Sequence, residues 1–229
     1  MTGRWSIEQL AGAAGPFHGR DPSDPPRREM WVFTVDRPAL VLGSTQPATD
    51  VDTGAAERLG VDVVRRRSGG GAVLLDPGAV VWVDAVVPRD DELWHDDVGR
   101  AFAWLGQLWA RVLGDLGVPP DQVAVHEAGL VTTPLSPVVC FAGLGPGEVT
   151  VGGAKAVGIS QRRTRSTARL QSSVLLSWDA ERQVALLAPG LARVAGSAGA
   201  RHLRDLPVAP MTTSTTTDVV DAVLARLPS

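Results

Sequence analysis

Apolar residues in this chain gather into short runs cut by glycine and proline, and they hold helical spacing over one long stretch only. Glu29 to Asp36 and Ala39 to Gly43 read as strands joined through Arg37 and Pro38 as a hairpin. Val61 to Arg65 and Ala72 to Leu75 are further short strands, and the turn Asp76-Pro77-Gly78 leads into the strongest one, Ala79 to Val87. Strand character returns from Gln122 to Leu176, broken at Gly143 to Gly147 and at Gly152-Gly153. The long helix is Asp96 to Leu116: Val98, Phe102, Leu105, Trp109 and Leu113 recur at three- or four-residue steps, and Gly117 with Pro119-Pro120 ends it. That spacing makes Trp109, and with it Trp104, packing residues rather than a cofactor box. Shorter helices are expected at Asp50 to Leu59 (capped by Asp50 or Asp52, closed by Gly60), at Ala180 to Leu187, and at Asp218 to Leu227 after the threonine-rich Met211 to Thr217. A weak first helix precedes an exposed loop from Gly15 to Arg28. Many strands joined by short turns favour α+β or mixed α/β with a largely antiparallel sheet over a doubly wound parallel one.

The chain has 229 residues, enough for one catalytic-size domain, with a core from about 29 to 190 and a C-terminal extension over 191–229. A net charge of -3 gives no reason to expect a nucleic acid or an acidic membrane as partner. One cysteine excludes an internal disulfide framework and fits a reducing cytoplasm. Met1 to Gly15 lacks the pattern of a signal peptide, and no apolar run approaches the roughly 18 to 20 residues of a membrane span. The four histidines, His18, His95, His126 and His202, have no metal-ligand spacing, so no metal site is expected from them.

Among 22 lysine and arginine positions, Lys155 is the only lysine, and the single cysteine, Cys140, lies fifteen positions before it. A lysine kept in so arginine-rich a chain is either a chance survivor or a compact, tunable ammonium that a guanidinium cannot replace. Taken as a regular strand, Lys155, Val157, Ile159 and Gln161 share one face, and the small Ala154, Ala156, Gly158 and Ser160 the other. Such a small-residue face accepts either a close-packed neighbour or a slender aliphatic chain. Cys140 is either a small buried hydrophobe or, beside an ammonium, a thiol biased toward its nucleophilic form. Upstream, Arg66-Arg67-Ser68-Gly69-Gly70-Gly71-Ala72 sets three glycines between two strands, where the backbone can approach a ligand and offer N–H groups, with Ser68 and Arg66 as further donors. The alternative is a flexible hairpin with a solvated arginine cluster. Neither a Walker loop nor a dinucleotide fingerprint matches it, since no Gly-Lys-Ser/Thr follows and the next element is a strand.

Together, Arg65-Arg66-Arg67-Ser68-Gly69-Gly70-Gly71-Ala72-Val73 with Asp76-Pro77-Gly78, and Gly153-Ala154-Lys155-Ala156-Val157-Gly158-Ile159-Ser160-Gln161-Arg162-Arg163, resemble the biotin/lipoate protein ligase superfamily, in its lipoate–protein ligase and octanoyltransferase branch. The resemblance runs from about Trp31 to Leu176 and implies a twisted mixed sheet flanked by helices, as in class II synthetases. It implies an eight-carbon acyl ligand, Lys155 at its carboxyl end, and Ser68 to Gly71 lining the acyl pocket, with Arg66, Ala72, Gly158 and Gln161 among the substrate-binding positions. A ligase of this kind makes an acyl-adenylate from ATP with Mg2+ and passes the lipoyl or octanoyl group to a lysine of a lipoyl carrier domain. Such carriers belong to 2-oxoacid dehydrogenase complexes or are the glycine cleavage H protein.

The alternative, implied by Cys140-Phe141 standing fifteen positions before the lysine, is a cysteine-type octanoyltransferase. It takes octanoyl from acyl carrier protein as a thioester on Cys140 and needs no cofactor. Three departures, Leu75, Ser172 and Ser173 where the branch carries His, His and Gly, keep open a third reading as a non-catalytic module that binds carrier domains. A biotin ligase is a weaker match to the lysine motif.

Overall fold

The computed structural model describes residues 5–191, 203 and 205–229, so His202 and the 192–201 part of the expected C-terminal extension lie outside the described residues. Among the described residues, ten strands form two sheets, a seven-stranded sheet in the order β1-β2-β6-β10-β9-β8-β7 and a three-stranded sheet in the order β4-β3-β5. In the large sheet β1 (Ser6–Gly12) runs parallel to β2 (Glu29–Val35). The pairs linking β2, β6 (Val80–Pro88), β10 (Thr167–Leu175), β9 (Ala154–Arg163), β8 (Val149–Val151) and β7 (Val123–Val125) are antiparallel. The small sheet pairs β3 (Ala39–Leu42) parallel to β4 (Asp62–Arg65) and antiparallel to β5 (Val73–Leu75). This is the α+β, largely antiparallel architecture read from the chain.

Strand alternation sorts the core into layers. Met30, Val32, Val81, Val83, Ala85, Leu170 and Val174 turn one face of the large sheet toward α3 (Ala103–Asp115) and α5 (Thr216–Ala225). Leu105, Trp109 and Leu113 of α3 are fully buried there, as their spacing requires. Trp31, Phe33, Trp82 and Val86 turn the other face toward Ala39, Val41 and Leu75 of the small sheet and Ala14 of α1 (Ala14–Gly19). Leu40 and Leu42 cover the outer face of the small sheet against Ala56 of α2 (Thr53–Arg58). Asp52, not Asp50, caps α2 through the Ala55 N–H, Gly60 follows it at φ +63°, Asp179 caps α4 (Ala180–Ala185), and Thr215 with Asp218 makes a capping box on α5.

Five expectations change. The first helix is a strand: Ser6 to Gly12 alternates half-buried and exposed residues, and β2 offers an edge to pair with, which overrides weak local propensity. A helix, α1, then occupies part of the expected loop. β2 and β3 are not a hairpin but turn a corner between sheets, so that their apolar sides meet face to face. The long helix starts at Ala103, because the Asp97 side chain accepts from Arg100 N–H and a 3-10 turn intervenes, leaving Val98 54% exposed. Finally, residues 126–148 form no strand: Pro134, Pro137 and Pro146 lack ladder donors, and the segment wraps the end of the large sheet as turns.

Candidate active site

The turn-rich segment lies against the free stretch of β9, and the two make a site on the side of the large sheet that faces the small one. β9 carries a bulge there: Thr150 pairs with Lys155 but Val149 pairs with Val157, so Ala156 is an extra residue. The bulge corrects the simple alternation. Ala156 and Val157 both enter the core toward α3, while Lys155 and Gly158 come to the same side, a Cβ on Gly158 lying 3.5 Å from Lys155 Cε. Gly158 and Ser160 are the small residues that remain to line a cavity.

Lys155 is 5% exposed. Its Nζ pairs with Glu148 Oε2 at 2.7 Å and donates to the carbonyls of Gly143 at 2.8 Å and Cys140 at 3.0 Å, above the Phe141 ring. Glu148 is buried too: Oε2 also accepts from Gly145 N–H, and Oε1 takes the Ile159 N–H that no strand pairs. Glu148 escaped the sequence reading, although the sign was present. It is the only acidic residue between Glu127 and Asp179, and a buried ammonium needs an anion.

Two cavities meet at Cys140, which is half-buried on a 3-10 turn. A wide cleft of about 1360 Å³, counting its open mouth, is lined by Gly69, Gly70, Gly71, Asp50, Glu148, Lys155, and Gln161. Both amide atoms of Gln161 are buried there without a partner. A narrower pocket of about 390 Å³, again counting its open mouth, runs from Cys140 and Gly158 past Ser173 to Trp82 and His18. Its course follows the sheet register, Gly158 opposite Ser173 and Ser173 opposite Trp82.

The next row is polar: the half-buried Ser160 faces the buried Gln171, which faces the buried Asp84. Ser68 Oγ donates to Gln171 Oε1 at 2.7 Å and lies 2.9 Å from Ser160 Oγ. Arg169 donates to Asp84 at 2.7 Å through Nε and ties it to the carbonyls of Phe17 and Arg20 on α1 and beyond. Burial pushes the Asp84 carboxyl up against the pull of Arg169. His18 stacks on Trp82 at 4.2 Å, and burial, then Arg169 and Arg66, holds its pKa down to about 3.

The remaining sequence candidates divide by role. Gly69 to Gly71 face the wide cleft rather than the narrow pocket. Gly71 is needed for close approach, since a Cβ there would sit 2.7 Å from Ser136 O and Val139 N. Arg66 also borders the narrow pocket, but its donors are taken by the carbonyls of Val41, Gly69 and Gly71, so it braces the glycine turn. Burial lowers its pKa while the nearby Cys140 raises it, and among the described residues it meets no carboxylate. Ala72 turns away from the cleft into the cluster around Leu40 and Leu186, because its backbone pairs with Val138 and Cys140. Leu75 and Ser173 line the narrow pocket, and Ser172 donates to the Val83 carbonyl. Among the described residues no group of three or more His, Cys, Asp or Glu could hold a metal, and no helix is long and apolar enough to cross a membrane.

Comparison with known proteins bears on the fold and the family. Octanoyltransferase LipM of Moorella thermoacetica is 27% identical over 170 residues, 73% of this chain, and the match spans 60% of that relative's length. Solved structures that share the fold at 18% identity include the following two. A bi-partite lipoate protein ligase with its E2 lipoyl domain from Thermoplasma acidophilum has a TM-score of 0.70, covering 99% of this chain and 82% of that one. Lipoate-protein ligase A bound with ATP has a TM-score of 0.68, covering 99% and 84%. The model of the lipoyl protein ligase A/B catalytic domain matches residues 20–227, and the chain belongs to that family.

Proposed function

We propose that this protein attaches a lipoyl or octanoyl group to the lysine of a lipoyl carrier domain, working from a free acid activated by ATP. The observation that carries the reading is the buried Lys155, paired with Glu148, on the wall of a wide cleft that meets a narrow, mostly apolar pocket at Cys140. The pocket suits an acyl chain: two strand spacings, about 10 Å, separate β9 from β6, the reach of eight extended carbons. In this reading Lys155 sits where the acyl carbonyl arrives and stabilises negative charge developing on its oxygen, an effect strengthened by burial. Glu148 and the carbonyls of Cys140 and Gly143 hold Nζ in place before substrate binds.

The residues of the wide cleft fit a nucleotide. The orphaned amide of Gln161 and the side-chain-free backbone of Gly69 and Gly70 would hold it, and Asp50 is a carboxylate available to an accompanying Mg2+. When bound, ATP supplies the leaving group that makes a carboxylic acid reactive. The fold shared with an ATP-bound ligase supports this assignment, and the fold shared with a ligase studied with its E2 lipoyl domain supports the acceptor.

A second reading rests on Cys140 at the junction of the two cavities and on the LipM relative. There the Cys140 thiolate attacks an octanoyl thioester, expelling the donor thiol. The carrier lysine's amine then attacks the new thioester and releases Cys140. One assay separates the two: purified protein is given an apo lipoyl domain with either lipoate plus ATP or octanoyl-acyl carrier protein. Lys155→Ala is expected to lower either activity at least a hundredfold, while Cys140→Ala abolishes only the thioester route. Wild-type transfer by Lys155→Ala, or carrier binding without transfer from both donors, would overturn the proposal.

A further inference from the structure

The narrow pocket is lined by a histidine whose ring holds an unpartnered nitrogen. His18 is 6% exposed, and its Nε2 has no partner. The tautomer follows from its neighbours. Gln171 accepts Ser68 Oγ at Oε1, and its Nε2 lies 3.3 Å from both Asp84 Oδ2 and His18 Nδ1. Turning the amide round would set its oxygen against the Asp84 carboxylate, so Nδ1 of His18 accepts and Nε2 carries the hydrogen. The ring is held neutral by burial and by Arg169, which leaves one unpartnered N–H beside a mostly apolar channel.

From this we infer that His18 selects the acyl tail: the pocket prefers a medium-chain acyl group whose far end carries a hydrogen-bond acceptor, a ring sulfur or an oxygen, over a plain hydrocarbon chain. The N–H is already buried without a partner before any tail enters, so an all-carbon tail leaves it unsatisfied, whereas an acceptor that reaches it completes it. The inference rests on the proposed acyl-binding function of the same pocket.

The test is equilibrium binding of lipoate, 8-hydroxyoctanoate and octanoate to the full-length protein, wild type and His18→Phe, which keeps a ring to stack on Trp82. Wild type is expected to bind the two acceptor-bearing acids about fivefold or more tightly than octanoate, and His18→Phe to level the ratio by weakening those two. The lipoate and hydroxy-acid arms tell sulfur from oxygen. Equal binding of all three acids to wild type overturns the inference without any variant and leaves acyl binding intact, as does a ratio unchanged in a folded His18→Phe. Failure of wild type to bind any of the acids overturns the acyl-pocket reading together with the inference.

Discussion

A charged ammonium that is 5% exposed survives in a folded interior only because other groups replace water around it, and Lys155 has three. Glu148 is the one that neutralises it. Glu148→Gln keeps a side-chain acceptor for the Ile159 N–H but removes the countercharge, leaving a buried cation among dipoles. We expect it to lower unfolding stability by about 3 kcal/mol in denaturant titration, and acyl transfer to an apo lipoyl domain by tenfold or more. Unchanged transfer would remove Glu148 from the machinery. At this scale the lone lysine and the lone cysteine were legible as candidates from their rarity. The ion pair that orients the lysine was not, because a pairing across turns leaves no period in the chain.

The elements that build the site tolerate very different substitutions. At Gly71, between the small sheet and the Cys140 turn, an added Cβ meets backbone atoms at 2.7 Å. Gly71→Ala is therefore expected to cost about 1–3 kcal/mol and to displace the turn. At Gly158 the same Cβ meets only Lys155 Cε and Phe141 at ordinary distances, 3.5 Å each. Gly158→Ala should keep the wild-type Tm while raising KM for the acyl donor, since its methyl occupies the narrow pocket. Equal Tm losses for the two variants would contradict this division. The glycine turn was readable from three glycines in a row. The bulge at Ala156, which decides the side that Lys155 faces, was not, because local residues are compatible with regular alternation and only pairing with β8 breaks it.

Across the whole molecule, the buried row of Asp84, Arg169, Gln171 and His18 ties α1 to the centre of the large sheet and shapes the response to acid. The folded pKa of His18, about 3, lies below its unfolded value of 6.5. Between these values the unfolded chain binds more protons, so stability falls as pH drops from 6.5 toward 3. From pH 7 to pH 5 this residue alone removes about 2 kcal/mol. Urea titrations at the two pH values should show a smaller loss by that amount in His18→Phe, and an equal loss in both proteins would refute the assignment.

The chain by itself determined the α+β class, most strands and helices, the cap of α2 within a residue or two, and the two glycine-rich stretches that border the site. Those features depend on alternation, helical spacing and turn chemistry, all carried by neighbours in sequence. Tertiary structure alone decided that Ser6 to Gly12 is a sheet edge, that β2 and β3 belong to different sheets, that Glu148 meets Lys155, and that His18 lines the pocket. Each of these depends on which surfaces meet, and a burial partner distant along the chain leaves no local mark.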